Sequence, residues 1–265
     1  MSKSLRDSSN RIKIISLGNI SVGKSCLIKR YCEKRFVSKY MATIGIDYGV
    51  TRLKIRDYDI RMNIFDFSGH PLFYEVRNEF YNDTQGVMLV FDVNNRKTFD
   101  SLDYWLNEMK KDIRPIQLFD QLCIVVVANK IDTNKRVVDE SEARLWANVR
   151  GYQYFETSAQ TGVGVQEMFD CLFSSIIDVI ENGELKVPNI GFTIEQVEAI
   201  NRLKNTKDNY ERLGLKHNCT KDEINNAYRK LAKLLHPDKS VAPGSEEAFK
   251  LLLNAKTDLL NKFDK

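Results

Sequence analysis

Short apolar runs recur through the first part of the chain, at Ile12–Leu17, Val50–Arg56, Arg61–Phe67, Gly86–Val93, Leu122–Ala128 and Tyr152–Thr157. Runs of this length, rich in Ile, Val and Phe, read as strands. Helical periodicity falls between most of them. The pair flanking Asp57–Asp59 reads as a hairpin; the others are joined through helices and read as parallel. The pattern predicts an α/β fold: a mixed six-stranded sheet with helices on both faces, closed by a helix over Gly164–Ile180.

Beyond that helix the pattern changes. ENGELKVPNIG is a Gly/Pro/Asn-bearing linker. Thr193–Asn205 is helical again, with Thr193 and Gln196 at capping-box spacing, and its place against either neighbouring domain stays open. From Asn209 to Leu260 the chain is all helical. Thr220 and Glu223 form a second capping signature, and Ile224, Ala227, Tyr228 and Leu231 fall on one helical face. Ala248, Leu251, Leu252, Ala255 and Leu259 repeat the amphipathic pattern. The expected organisation is a polar N-terminus over 1–10, an α/β domain over 11–180, a linker with a short helix over 181–207, and a small all-α module over 208–265.

Composition narrows the function classes. In 265 residues, 40 basic and 36 acidic side chains leave a net charge of +4, which gives no global reason to expect nucleic-acid binding. Five cysteines without metal spacing or a secretory leader fit small buried residues in a reducing interior. No apolar stretch is long enough to span a bilayer, and the ending NKFDK carries no prenylation cysteine. A soluble intracellular protein of cytoplasm or nucleus is expected, monomeric and without a lipid anchor of its own.

The chemistry begins directly after the first strand. GNISVGKS, Gly18 to Ser25, sits between a strand and a helix, the context a phosphate loop requires. Gly18 and Gly23 permit the tight turn that aims N–H groups at phosphate oxygens, and the helix N-terminus adds positive partial charge. Lys24 would reach the β and γ phosphates; the Ser25 hydroxyl would ligate Mg²⁺. Ser21, Val22 and Cys26 complete the set expected to contact nucleotide. Further on, NKID places Asn129, Lys130 and Asp132 after a strand. A carboxylate at Asp132 accepts from guanine N1–H and its 2-amino group, donors that adenine lacks. A buried polar site left unpaired rejects the wrong partner by as much as about 10⁴–10⁵. Ser158 and Ala159, in ETSAQ, offer backbone N–H groups toward the guanine carbonyl. Thr43 is placed to touch Mg²⁺ and the γ-phosphate, Asp66 to hold Mg²⁺ through water, and Gly69 to donate its N–H to the γ-phosphate. Such loops order with the triphosphate.

Residues from about Arg11 to Ile180 thereby resemble a small Ras-superfamily GTPase, closest to the Rab branch through ATIGIDYGV and YFETSAQTG. The resemblance implies GTP/GDP and Mg²⁺ as ligands, Phe36 edge-on against guanine, Tyr40 closing over the phosphates, and protein effectors at the switch loops. It breaks at two positions. His70, followed by Pro71, stands where the family has the Gln that orients the attacking water. Ile20 stands where it has a small residue in the phosphate loop, which crowds the entry of an arginine finger that contributes about 10³–10⁵ in rate. The expectation is tight binding with slow hydrolysis, catalysis being left to Lys24, Gly69 and an atypical His70. Imidazole can accept or donate, so water positioning by His70 stays open.

AYRKLA followed by HPDK resembles a J domain, the module that stimulates DnaK-type chaperone ATPases. The resemblance implies that His236, Pro237 and Asp238 engage the chaperone and that Arg229, Lys230 and Lys233 form a basic docking face. The usual fourth helix is missing after Lys265, and a core from about 55 residues is small. Both modules together resemble Rab-like GTPases with a C-terminal J domain. Two functions follow: a guanine-nucleotide switch that recruits a chaperone, or a GTP-stabilised signalling scaffold without cycling. A third, vestigial J helices, is disfavoured by the intact HPD.

Overall fold

The computed structural model describes residues 11–39, 41–56, 58–183, 193–236, 240, 242 and 244–263. Tyr40, Pro237 and Asp238, residues 1–10 and the stretch 184–192 of the expected linker lie outside the described residues. The chain falls into two compact units.

The first unit is built on β1 (Arg11–Leu17), β2 (Ile46–Ile55), β3 (Tyr58–Phe67), β4 (Gly86–Asp92), β5 (Cys123–Asn129) and β6 (Gln153–Thr157), ordered β2-β3-β1-β4-β5-β6. Only β2 and β3 pair antiparallel; the rest are parallel. Every residue of β4 and β5 is buried, as parallel strands covered on both faces require. One face carries α1 (Lys24–Glu33) through Leu27, Ile28 and Tyr31. The long helix Val165–Asn182 joins it there through Val165, Met168, Phe169, Leu172, Phe173 and Ile176. In chain order the other helices of this unit are α2 (Tyr74–Asn78), α3 (Arg96–Asp100), α4 (Leu102–Asp112) and α5 (Glu140–Asn148), with α6 spanning Val165–Asn182. Side chains from α3, α4 and α5, among them Phe99, Trp105, Met109 and Ala143, cover the other face. Gly86 admits α6: a Cβ there would lie 2.6 Å from Ile176 Cδ1. The strand β2 begins at Ile46, four residues before the apolar run at Val50. Asp47 and Gly49 hide the strand signal there, and the ladder with β3 holds them in place.

The second unit holds α7 (Ile194–Asn205), α8 (Asn209–Leu213), α9 (Lys221–Leu234) and α10 (Ser245–Phe263). Both capping boxes form: Thr193 with Gln196, and Thr220 with Glu223. The sequence left the place of α7 open. Its Ala199, Ile200 and Leu203 share one core with Leu213 of α8, Ile224 and Leu231 of α9, and Ala248, Leu252 and Leu259 of α10. Gln196 Nε2 donates to the Leu234 carbonyl at 3.0 Å, at the end of α9. A helix preceding the module thus supplies the fourth wall of its core.

Leu203→Ala should destabilise this unit by about 2–5 kcal/mol, the range for truncating a fully buried leucine, since Leu203 is 0% exposed. Lys204→Ala, which removes only an exposed ion pair to Glu247, should shift it by less than about 1 kcal/mol. Hydrogen exchange of α9 and α10 in the full chain checks both. Unchanged protection in Leu203→Ala would mean that α7 is not part of this core.

Candidate functional site

A cavity of about 660 Å³ opens at the carboxyl edge of the sheet, within the size range of small-molecule sites. Its wall includes Ser21, Gly23, Lys24, Ser25 and Cys26 from the loop after β1, Phe36 and Thr43 from the segment before β2, Gly69 and His70 after β3, and Asn129, Lys130, Asp132 and Ala159 after β5 and β6. The sheet therefore brings together every described nucleotide residue expected from sequence except Gly18, Val22 and Ser158, which stand behind the wall, and Asp66.

The phosphate loop is shaped by positive φ at Gly18 (139°), Ser21 (62°) and Gly23 (101°). At Gly18 a Cβ would lie 2.2 Å from the Val90 carbonyl oxygen, so only glycine fits. Lys24 is buried, its Nζ donating to the carbonyls of Gly18 (2.8 Å) and Asn19 (3.0 Å). Burial pulls its ammonium down to about 8; Asp66 opposes that shift, and Arg77 adds to it. A buried cation held by carbonyls is a docking point for phosphate oxygens.

Hard oxygen ligands converge beside it. Ser25 Oγ donates to Asp66 Oδ2 at 2.5 Å, lies 3.0 Å from Thr43 Oγ1, and Thr43 Oγ1 reaches Asp66 Oδ2 at 3.2 Å. The second oxygen of Asp66 accepts from Ser16 Oγ at 2.9 Å. Two hydroxyls and one buried carboxylate suit a hard divalent cation that keeps waters. Ser16 was not anticipated: a serine inside an apolar strand carries no sequence signal. Gly69 lies against the phosphate loop so closely that a Cβ would fall 2.4–2.6 Å from backbone atoms of Asn19, Ile20 and Gly18.

At the base end, Asn129 works as a hub. Its Nδ2 donates to the Val22 carbonyl (2.8 Å), while its Oδ1 accepts from Ala159 N–H (3.2 Å) and Thr157 Oγ1 (3.3 Å). Lys130 has a left-handed φ of 69° and pairs with Asp92 Oδ2 at 2.7 Å. Asp132 accepts from Ser158 Oγ at 2.5 Å. The Ser158 N–H donates to the Val163 carbonyl and the Ala159 N–H to Asn129 Oδ1, so both backbone groups expected to face a base carbonyl have partners within the protein. Phe36 is half-buried with the Arg30 guanidinium 5.9 Å from its ring centre.

His70 is exposed, and its Nδ1 accepts from Leu72 N–H at 3.2 Å, capping the short turn Pro71–Phe73. In the neutral ring that bond assigns the proton to Nε2. Ile20, 50% exposed, borders both this cavity and a neighbouring one of about 370 Å³ that His70 also lines. Behind them lies an anchor that the sequence did not reveal. Arg77, 1% exposed, forks onto Glu108 with two 2.9 Å bonds and donates to the carbonyls of Ser68 (3.1 Å) and His70 (2.8 Å). Its guanidinium lies 4.9 Å from the Trp105 ring, whose Nε1 donates to Asn19 Oδ1 at 2.8 Å.

In the second unit Arg229, Lys230 and Lys233 are exposed, and their three- and four-residue spacing puts them on one face of α9. His236 is exposed just past α9, its ring edge-on to Phe249 at 5.9 Å.

Comparison with known proteins gives a family match for each part of the chain. Residues 13–178 match the Ras family and residues 208–265 match the DnaJ domain. The chain is 62% identical over 254 residues to DnaJ homolog subfamily C member 27 of Gallus gallus, covering 94% of this chain and 93% of that protein. The proteins of the same name from Danio rerio and Homo sapiens are each 60% identical over 254 residues, with the same coverage.

The lowered ammonium of Lys24 gives a pH signature. Between about 8 and 10.5 the unfolded chain binds more protons at this lysine than the folded one, so its contribution to stability rises with pH across that window. With any bound ligand removed, the native chain should gain stability over Lys24→Met between those two values. Thermal melts across that range check it, and parallel curves would refute it.

Proposed function

Because the chain belongs to the Ras family and carries a C-terminal DnaJ domain, we propose that it is a GTP-loaded switch of low turnover that brings a DnaK-type chaperone to the switch's protein partners. A Ras-family domain binds guanine nucleotide, and a DnaJ domain implies an Hsp70-type chaperone partner. The finer reading rests on the site. ATIGIDYGV and YFETSAQTG favour a Rab-like member. The observation that carries slow hydrolysis is the bond from Leu72 N–H to His70 Nδ1.

The described residues supply a binding apparatus. Backbone N–H groups of the loop from Gly18 to Ser25 and the buried Lys24 hold the phosphates, and Asp132, oriented by Ser158, checks the base edge. Ser25, Thr43 and Asp66 fit Mg²⁺, which when bound neutralises charge on the phosphate oxygens. Gly69, pressed on the phosphate loop, carries the N–H that meets the γ-phosphate.

The turnover machinery is altered. Phosphoryl transfer draws its rate from positioning and charge stabilisation. Orienting a water needs a group that accepts its proton side. His70 uses its acceptor nitrogen within its own turn, leaving Nε2–H, a donor. Ile20 occupies the approach an external arginine would use. Arg77 fixes the backbone carrying His70 from below. The clamp favours a second reading as well, a GTP-stabilised scaffold whose effector surface persists without cycling. Partner binding that differs between GDP- and GTP-loaded protein separates the switch from the scaffold.

In a magnesium-containing titration, guanosine di- and triphosphate should outcompete the adenosine compounds by orders of magnitude; equal affinities would end the reading. His70→Gln should raise single-turnover GTP hydrolysis by about 10²-fold, the low end of the range for a positioned proton-transfer group; no change would remove the role given to Nδ1.

For the DnaJ domain, His236→Gln should abolish stimulation of a DnaK-type ATPase while leaving GTP affinity unchanged. Stimulation that survives would mean that these residues do not engage the chaperone.

A further inference from the structure

We propose that the open face of β1, β2 and β3, away from the nucleotide cavity, docks an acidic segment of a partner protein. The ladder places Arg52 of β2 opposite Arg61 of β3, and Arg61 beside Arg11 of β1. Residues in register share one face of a sheet, so three arginines stand in a row across three strands that lie about 4.7–4.9 Å apart. Lys54 stands two residues beyond Arg52 on the same face; it, Arg52 and Arg11 are exposed and Arg61 is half-buried. The facing acid is Asp59, opposite Lys54, and it has contacts of its own.

Like charges directly opposite on a sheet are destabilising. Elsewhere in this unit the protein answers such charges: Arg56, Arg77, Arg96, Arg136 and Arg144 each reach a carboxylate. Among the described residues, Arg11, Arg52, Lys54 and Arg61 form no ion pair with a carboxylate. Arg61 Nε is moreover buried without a hydrogen-bond partner among those residues. An orphaned buried donor carries a desolvation penalty that an incoming acceptor removes. Between these side chains lies a shallow cavity of about 540 Å³.

The chemistry that fits is a set of carboxylates, which match arginine forks bidentately. Acids three and four apart on one helix face repeat at about 5–6 Å, close to the strand spacing, so an acidic helix lying across the strands matches the row. Along β2 the same face continues to Val50 and Tyr48, 37% and 46% exposed, giving an apolar anchor beside the charges. A bilayer offers a plane of headgroups to protruding cations. The half-buried Arg61 with its buried Nε instead meets an oxygen that enters the cavity. This surface is independent of the nucleotide site and of the reading given to it.

The test uses the full GTP-loaded chain and a labelled helical peptide with glutamates at i, i+4 and i+7, against the same peptide with glutamines. Fluorescence anisotropy should show the glutamate peptide bound at least about tenfold more tightly, a difference of about 1.4 kcal/mol, and weakened by salt. Arg52→Glu and Arg11→Glu should each abolish that preference, while Lys135→Glu, exposed in a loop outside this face, leaves it intact; retained GTP reports folding. Without peptide, Arg52→Gln should raise the melting temperature at low salt, because it relieves the repulsion. Equal affinity for the two peptides, indifference to the charge reversals, or binding of phosphatidylserine vesicles in place of the peptide would each overturn the proposal.

Discussion

The candidate site depends on one buried amide. Asn129 reaches Val22 in the phosphate loop with its nitrogen, and Thr157 and Ala159 in the β6 loop with its oxygen. Three loops that are distant in sequence are thereby fixed at one edge of the sheet. The contact is so close that a Cβ on Gly23 would lie 2.3 Å from Asn129 Nδ2. At 1% exposure none of this amide's bonding is shared with bulk water, and a buried, fully satisfied polar network holds a single geometry. The turn before α1, the orientation of Lys24 and the position of Ala159 all inherit that geometry. Preorganised amides of this kind stabilise phosphate charge without reorganisation when it arrives.

A second fixed point lies under the loop after β3. Arg77 is paired and hydrogen-bonded on every side that the structure describes, with Glu108 in turn accepting from Tyr81 Oη at 2.5 Å. Buried ion pairs contribute little net stability, but removing one partner leaves an uncompensated charge. The consequence is positional. The carbonyls of Ser68 and His70 are held on either side of Gly69, and through Trp105 and Asn19 the same network touches the phosphate loop. The loop after β3 is thereby anchored to α4 by a guanidinium.

Much of this was legible in the sequence because periodicity and spacing carry it. The fully apolar β4 and β5, the glycines of the phosphate loop, the two capping boxes and the residues Lys24, Asn129 and Asp132 all announce themselves locally. What was hidden depends on tertiary pairing. Ser16 looks like any polar residue in a strand until Asp66 is brought 2.9 Å from it. Arg77 and Glu108 are separated by 31 residues, and no pattern joins them. The arginine row is invisible along the chain, since Arg11, Arg52 and Arg61 meet only through the register of three strands. The place of α7 could not be read either, because an amphipathic helix states that it has a buried face and not whose face covers it.

The division between an intact binding apparatus and an altered water position has a simple physical basis. On the proposed reading, affinity comes from groups that touch the ground-state phosphates and base: backbone amides, Lys24 and Asp132. Rate comes from what is stronger in the transition state, and the position that would orient water is His70. On the same reading, the departures at that residue and at Ile20 lower the rate and leave the ground-state contacts in place. On the proposed reading, the state seen by the DnaJ domain's partners is then set by nucleotide loading and exchange, with hydrolysis too slow to reset it. The recruitment of a chaperone would persist for as long as the nucleotide stays bound.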